Sequence, residues 1–261
     1  MSTIFYYLLL IFIAILPVAG LLIMIYFMDR YQKEPIGSLL KAFFGGFLAL
    51  AMDLIVVFLF LNYTIGLIPG FKETDFYQSF IQAGIPEELC KFAIFMIFIW
   101  RDKNFDEYFD GIVYACFISL GFACVENIMY VVVNGVATGL VRAMLSVPAH
   151  FLFGILMGYF LSLAKFEPEK RVKHIFTGLL LAMAAHGVFD WLIFKSSTLV
   201  LTGKETMILL SGLLYKILLA GDVLLWIFGM KLVRKHLERS RQQAEDALNL
   251  TTNLTQNDHV S

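Results

Sequence analysis

Long apolar stretches alternate with short polar segments along almost the whole chain of 261 residues. A helix that crosses a bilayer needs about 20 mainly apolar residues. Seven stretches meet or approach this length. The pattern predicts an all-α, polytopic membrane helix bundle of about seven transmembrane helices, at residues 4–28, 42–61, 85–100, 111–133, 145–163, 175–194 and 207–230.

The distribution of basic residues predicts how this bundle is oriented. The segments after the first, third, fifth and seventh spans hold fourteen Lys and Arg residues, whereas the intervening segments hold four. Because basic residues accumulate on the cytoplasmic side, the N terminus is expected outside and the C terminus in the cytoplasm. The third span is short and carries Glu87, Glu88 and Lys91, but the alternation of charge is lost without it.

Composition narrows the class of protein further. Hydrophobic residues make up 59% of the chain and charged residues only 16%, compared with about a quarter in soluble domains. This composition excludes a soluble enzyme, and the formal net charge of −1 provides no overall positive charge to attract a nucleic-acid partner. The lipid bilayer is therefore the expected surroundings. We expect a cell-membrane protein with a polytopic membrane domain at 1–230 and a basic, then polar and disordered, cytoplasmic tail at 231–261.

Ionisable side chains inside the predicted spans are the candidates for function. Charges in a bilayer are costly, so each one needs a reason to be there. With the orientation above and a rise of about 1.5 Å per residue, six of them fall in the outer half of the membrane. Four different spans can therefore present one outward-facing polar cavity, formed by Glu87, Glu88, Glu126, His150, His186 and Asp190.

Helical spacing predicts pairs within this set. Lys91 lies three and four residues after the two adjacent glutamates, so it can pair with either carboxylate. His186 and Asp190 are also four residues apart, and an Asp in that position can orient the imidazole. Asp53, Lys216 and Asp222 are expected to make polar contacts inside the bundle or to line a water path.

Two kinds of chemistry fit these residues. A glutamate acting as general base beside a histidine would activate water for hydrolysis. Two histidines with carboxylates would equally hold a divalent metal such as zinc. A third possibility, from another class of function, is a proton- or cation-coupled transporter that uses the same acids as a relay. The polar residues lie on one side of the membrane and no internal repeat is visible, which disfavours transport.

Four motifs follow one another along the predicted spans. They are Pro86-Glu87-Glu88-Leu89-Cys90-Lys91, Gly121-Phe122-Ala123-Cys124-Val125-Glu126-Asn127, the run from Arg142 to His150, and Ala185-His186-Gly187-Val188-Phe189-Asp190. Together they resemble the motifs of the PrsW family of intramembrane proteases, within the wider group of CAAX-processing and bacteriocin-processing membrane proteases. The segment around Asp29 and Glu34 after the first span is similar as well.

The resemblance implies a peptidase that cuts a single-span, membrane-anchored anti-sigma factor on its outer side. This would be the site-1 cut that leads to release of a sigma factor during envelope stress. Carried over by position, the catalytic residues are Glu87, Glu88, Glu126, His150 and His186. Lys91, Asn127 and Asp190 are supporting residues, and a metal, if one is used, would be held by His150, His186 and Glu126.

Overall fold

The computed structural model describes residues 3–64, 70–71 and 73–258, and every regular element in this part of the chain is a helix. The predicted all-α fold is therefore confirmed. The helices are α1 (Thr3–Met28), α2 (Ile36–Thr64), a π-helix (Tyr77–Gly84), α3 (Ile85–Phe98), α4 (Asp110–Asn134), α5 (Val136–Met144), α6 (Ser146–Phe166), a 3₁₀ turn (Pro168–Lys170), α7 (Arg171–Leu201) and α8 (Glu205–Asp258).

Within the described residues, six helical segments are long and apolar enough to cross a membrane: α1, α2, α4, the pair α5 and α6, α7, and α8. The third predicted span corresponds to α3, which has only 14 residues. It directly continues the 8-residue π-helix, so the two together approach the length of a crossing. A seventh crossing thus remains a prediction and depends on this composite helix.

Helix α4 lies at the centre of the bundle and packs against α1, α2 and α6. Glycines allow two of these contacts to be close. A methyl group on Gly46 of α2 would collide with the α4 backbone at Ile118, and one on Gly158 of α6 would collide with Gly111. In a bilayer, where apolar surface gains little by leaving lipid, such close backbone packing is a main source of helix association.

The segments that carry most of the basic residues meet at one end of the bundle. Lys41 pairs with Asp102 at 2.8 Å, and Lys165 Nζ donates to the Trp100 carbonyl at 2.8 Å. Arg239 of α8 reaches Glu167 at 3.2 Å. The basic segments thus share one end, as the predicted alternation requires. That this end faces the cytoplasm remains a prediction from the charge distribution.

Helix α8 has no break at residue 230, where the membrane domain was expected to end. Leu232, Val233 and His236 are buried against the bundle, and His236 stacks on Tyr159 with ring centroids 4.0 Å apart. The helix then continues to Asp258, so residues 249–258 are helical where the polar composition predicts disorder. One face of the tail packs on the bundle as far as Ser240, and this burial stabilises the helix past the last apolar residues up to that point.

Candidate active site

The glutamate pair stands where the π-helix passes into α3. Gly84 ends the π-helix, and a methyl group there would lie 2.8 Å from the Gly187 backbone nitrogen of α7. Gly187 in turn leaves room for the ring of Phe80. Pro86 fits the first turn of α3, where no intrahelical bond to its nitrogen is needed. The close approach brings the start of α3 against α7 beside His186.

Lys91 holds the two glutamates together, as its spacing predicts. Its Nζ lies 2.7 Å from Glu88 Oε1 and 3.3 Å from Glu87 Oε2. It is also 3.1 Å from His150 Nδ1 and 4.1 Å from the centre of the Phe122 ring. All four polar side chains are buried. One ammonium group therefore supplies positive charge to both carboxylates at once.

His186 joins the same group from α7. Its Nδ1 is 3.0 Å from Glu88 Oε1, and its Nε2 is 3.4 Å from Asp190 Oδ2 and 3.8 Å from Glu87 Oε2. The imidazole stacks on Phe153 at 4.8 Å. The predicted pairing with Asp190 is present, and the ring is fixed by a carboxylate on either side and an aromatic face.

His150, Glu126 and Arg142 form the other wall. Glu126 Oε2 lies 3.0 Å from His150 Nε2 and accepts a hydrogen bond from Arg142 Nη2 at 2.8 Å. Arg142 Nε donates to Asn127 Oδ1 at 2.9 Å, and Asn127 donates to the Ala14 carbonyl of α1 at 2.8 Å. Asn127 thus supports the site by holding Arg142. Sequence reasoning did not assign Arg142 a role, although it is the only basic residue between the fourth and fifth predicted spans.

Four of these side chains are close enough to share a metal ion. Glu87, Glu88, His150 and His186 each offer a ligand atom, and these atoms lie within 4.8 Å of one another. Glu88 Oε2 has no hydrogen-bond partner among the described residues. Imidazole nitrogens with carboxylate oxygens are typical zinc ligands, so the residues present fit such an ion. This group includes both histidines that were predicted as possible metal ligands. Glu126, the third predicted ligand, is not part of the group and contacts Arg142.

A cavity of about 460 Å³ leads to this group. It lies between α2, the π-helix, α4 and α7, and both Glu87 and Glu126 line it. Glu88, with no exposed surface, lies behind Glu87. The two adjacent glutamates therefore differ in access, since Glu87 faces the space that a substrate would enter and Glu88 faces the protein.

The three polar residues expected to make internal contacts have separate surroundings. Asp53 lines the same cavity as Glu87, so its position is closer to the site than the sequence indicates. Asp222 lines a different, mainly apolar cavity between α6, α7 and α8. Lys216 is exposed on the surface of α8, which contradicts the expectation for this residue. Because this part of α8 lies at the edge of the bundle, the Lys216 side chain is not packed in the interior.

Comparison with known proteins agrees with this geometry. Residues 34–220 match the model of the PrsW family of intramembrane metalloproteases. Protease PrsW of Geobacillus kaustophilus is 37% identical over 177 residues, covering 68% of this chain and 76% of that protein. Protease PrsW of Bacillus subtilis is 35% identical over 226 residues, covering 85% and 92%. No solved structure matches the chain.

These matches decide between the classes of function left open by the sequence. The family and the relatives are proteases, and none of them supports an ion-coupled transporter. The matched region contains the whole glutamate and histidine cluster. The chain therefore belongs to the PrsW family of intramembrane metalloproteases, and it is a multi-pass peptidase of a bacterial membrane.

Proposed function

We propose that this protease makes the outer-side, site-1 cut in a single-span anti-sigma factor, with Glu87 as general base and zinc as its metal. The observation that carries the proposal is the buried convergence of Glu87, Glu88, His150 and His186 beside a cavity that reaches Glu87. His150 begins α6 at the end of the bundle away from the basic segments, so the cluster lies toward the predicted outer face.

The two glutamates differ in whether they reach the cavity, and we assign them different roles for that reason. Glu87 lines the cavity, so its carboxylate can take a proton from a water molecule that attacks the scissile carbonyl carbon. The same carboxyl group then returns the proton to the leaving amide nitrogen, which breaks the C–N bond and yields an acid and an amine. Glu88 does not reach the cavity, and its contacts with Lys91 and His186 fix both of those side chains.

His150, His186 and Glu88 are the residues that would hold zinc. A zinc ion at such a site supplies Lewis acidity and makes a bound water more acidic. Asp190 orients His186, and Glu126 orients His150. Such outer partners fix the ring orientation and raise the basicity of a ligand histidine. Lys91 balances the charge of the glutamate pair while the site is desolvated.

A paired cleavage assay tests this function. Purified wild type and the Glu87→Gln/Glu88→Gln variant are incubated with a single-span anti-sigma factor, with and without a chelator. We expect cutting by the wild type alone, loss of cutting with chelator, and recovery on addition of zinc. The matched control is Glu34→Gln, which changes a buried glutamate at the other end of the bundle and should still cut.

Each arm of this assay addresses a separate part of the proposal. Activity of the double variant would exclude both glutamates as the base. Cutting that persists in chelator would argue against zinc while leaving the glutamates in place. Failure of the wild type to cut the anti-sigma factor, together with cutting of another single-span protein, would overturn the substrate class but not the protease.

A further inference from the structure

Asp53 is a buried carboxylate on the wall of the catalytic cavity that the mechanism above does not use. It lies on α2, is 6% exposed, and lines the same space as Glu87 and Glu126. Its Oδ1 atom has no hydrogen-bond partner in the part of the chain that the structure describes. A buried polar atom left unpaired is unfavourable, so a partner arriving with the substrate would remove that penalty.

The other two acids of the cavity already have cations. Glu87 contacts Lys91, and Glu126 contacts Arg142. No Lys, Arg or His is among the described residues that line the cavity, and no ion pair joins Asp53 to any described residue. The cavity wall around Asp53 thus carries three carboxylates and no cationic side chain among the described residues that line it.

The neighbours of Asp53 suit a long side chain with a charged end. Leu50, Leu54 and Val57 provide apolar surface on α2, while Gln78 and Gln82 of the π-helix add amide oxygens. Lys and Arg bury their aliphatic stems along apolar surface and keep the charged group with polar partners. The cavity lining therefore provides apolar surface for the aliphatic stem and polar groups for the charged end.

We propose that Asp53 forms a specificity subsite that binds a Lys or Arg side chain of the substrate close to the scissile bond. The inference rests on the proposed function, because it assumes that the substrate enters by this cavity. Asp53 is not among the four residues that can share a metal ion, so the cation expected here belongs to the substrate. The ion pair would place the scissile bond relative to Glu87 and would favour basic sequences over apolar ones.

Binding and cleavage measured separately test this subsite. A panel of single-span peptides carries Lys, Gln or Leu at successive positions on the outer side of the apolar segment. Dissociation constants are measured by fluorescence anisotropy in detergent, and cleavage is followed with the same peptides. Wild type should bind and cut the Lys peptide at one position about tenfold better than its Gln or Leu counterparts.

The variants identify the group responsible. Asp53→Asn should lose this preference, so that the ratio of Lys to Leu peptide binding falls to about one, and Asp53→Leu should favour Leu. Asp222→Asn is the matched control, since Asp222 Oδ1 is also buried without a described partner but lines the other cavity. It should keep the preference for Lys.

The two readouts keep the subsite distinct from the proposed function. A preference for Lys in binding that needs Asp53, without any cleavage, would retain the subsite and overturn the proposed reaction on these substrates. Cleavage with no preference at any position, or a preference that survives in Asp53→Asn, would overturn the subsite. Equal effects of the Asp53 and Asp222 variants would show a general structural disturbance and would overturn it as well.

Discussion

Buried acids occur at both ends of this bundle, but their partners differ. At the catalytic end, Lys91 and Arg142 contact the glutamates directly, and two histidines complete the group. At the basic end, the buried acids Asp29, Glu34, Glu107 and Asp110 form no ion pair with any described residue. Their hydrogen-bond donors are neutral, since Tyr114 donates to Glu34, and backbone N–H groups of residues 106 and 107 donate to Asp110. Glu107 Oε2 and Asp110 Oδ1 have no partner among the described residues.

The difference shows what separates a reactive acid cluster from a structural one. At the end that holds the candidate active site, the acids lie beside a cavity and contact fixed cations, an arrangement suited to binding a metal or accepting a proton. At the basic end the carboxyl groups close the loop before α4 and join it to the segment after α1. Burial of an acid alone therefore does not mark a catalytic site, whereas cations and access to a cavity do.

The largest expected effect comes from Glu87. In Glu87→Gln the cavity keeps its shape but loses the base, so kcat should fall about 10³-fold with KM within a few-fold. Glu34→Gln, at the basic end, should leave kcat within about twofold. Steady-state cleavage of a single-span substrate measures both. Comparable losses in the two variants would remove the functional distinction between the clusters.

Loss of the shared cation should cost stability. Lys91→Met leaves the Glu88 carboxylate buried without its counter-charge, and breaking a buried pair in this way costs about 3–5 kcal/mol. Tyr114→Phe removes only a neutral donor from Glu34 and should cost about 1–3 kcal/mol. Thermal unfolding in detergent compares the two. A smaller loss in Lys91→Met than in Tyr114→Phe would contradict the different electrostatics of the two ends.

Arg142 should have a smaller effect on activity than Glu87. It contacts Glu126 and Asn127 but is not among the residues that can share the metal, so Arg142→Gln should lower kcat/KM about tenfold by loosening His150. Arg142→Lys should recover part of the loss, because the charge on Glu126 is again balanced. Cleavage rates and zinc affinity should change together; unchanged zinc affinity would argue against a positioning role.

The smallest expected effect is a pH dependence of stability at the basic end. Burial raises the pKa of Glu34 to about 7, although the Tyr114 hydroxyl opposes the shift, and burial raises the pKa of Glu107 to about 7. Because the folded state binds these protons more tightly than the unfolded state, stability should fall as pH rises from about 4.5 to about 7.

The glutamine variants isolate this contribution. In Glu34→Gln and Glu107→Gln, the unfolding temperature in detergent should vary less between pH 5 and pH 8 than it does in the wild type. A variant at a neutral surface position, Thr177→Ala, controls for general effects of pH. An unchanged slope in both glutamine variants would show that these carboxyl groups titrate normally.

Much of the fold could be predicted because the bilayer imposes a length and an apolar composition on each span. The convergence of the acids and histidines also followed from depth and helical spacing, and the two pairs at Lys91 and His186 are present. That the glutamate pair, and not Glu126, lies with the histidines in the group that could share a metal was not predictable from the sequence. It depends on the rotation of α4 and on Arg142, which a one-dimensional depth argument does not contain.

Other features depend on three-dimensional packing that no local pattern records. Asp53 has no ionisable neighbour along α2 at helical spacing, so its place on the cavity wall follows only from how α2 packs against α4. The short α5, which brings Arg142 to Glu126, reads in sequence as a loop between two spans. In both cases the neighbouring residues lie on another helix, α4.

The π-helix before the glutamate pair limits which mutations the gene can tolerate in this segment. An α-helix turns by about 100° per residue, and a π-helix accommodates a surplus residue without breaking the helix. Deletion of one residue within Tyr77–Gly84 would let the segment rewind as α-helix and swing Glu87 and Glu88 away from His186. In descendants of this gene, an insertion or deletion of a single codon there would therefore be selected against as strongly as the loss of a catalytic residue, whereas a substitution that respects the close contact of Gly84 with Gly187 would keep the register.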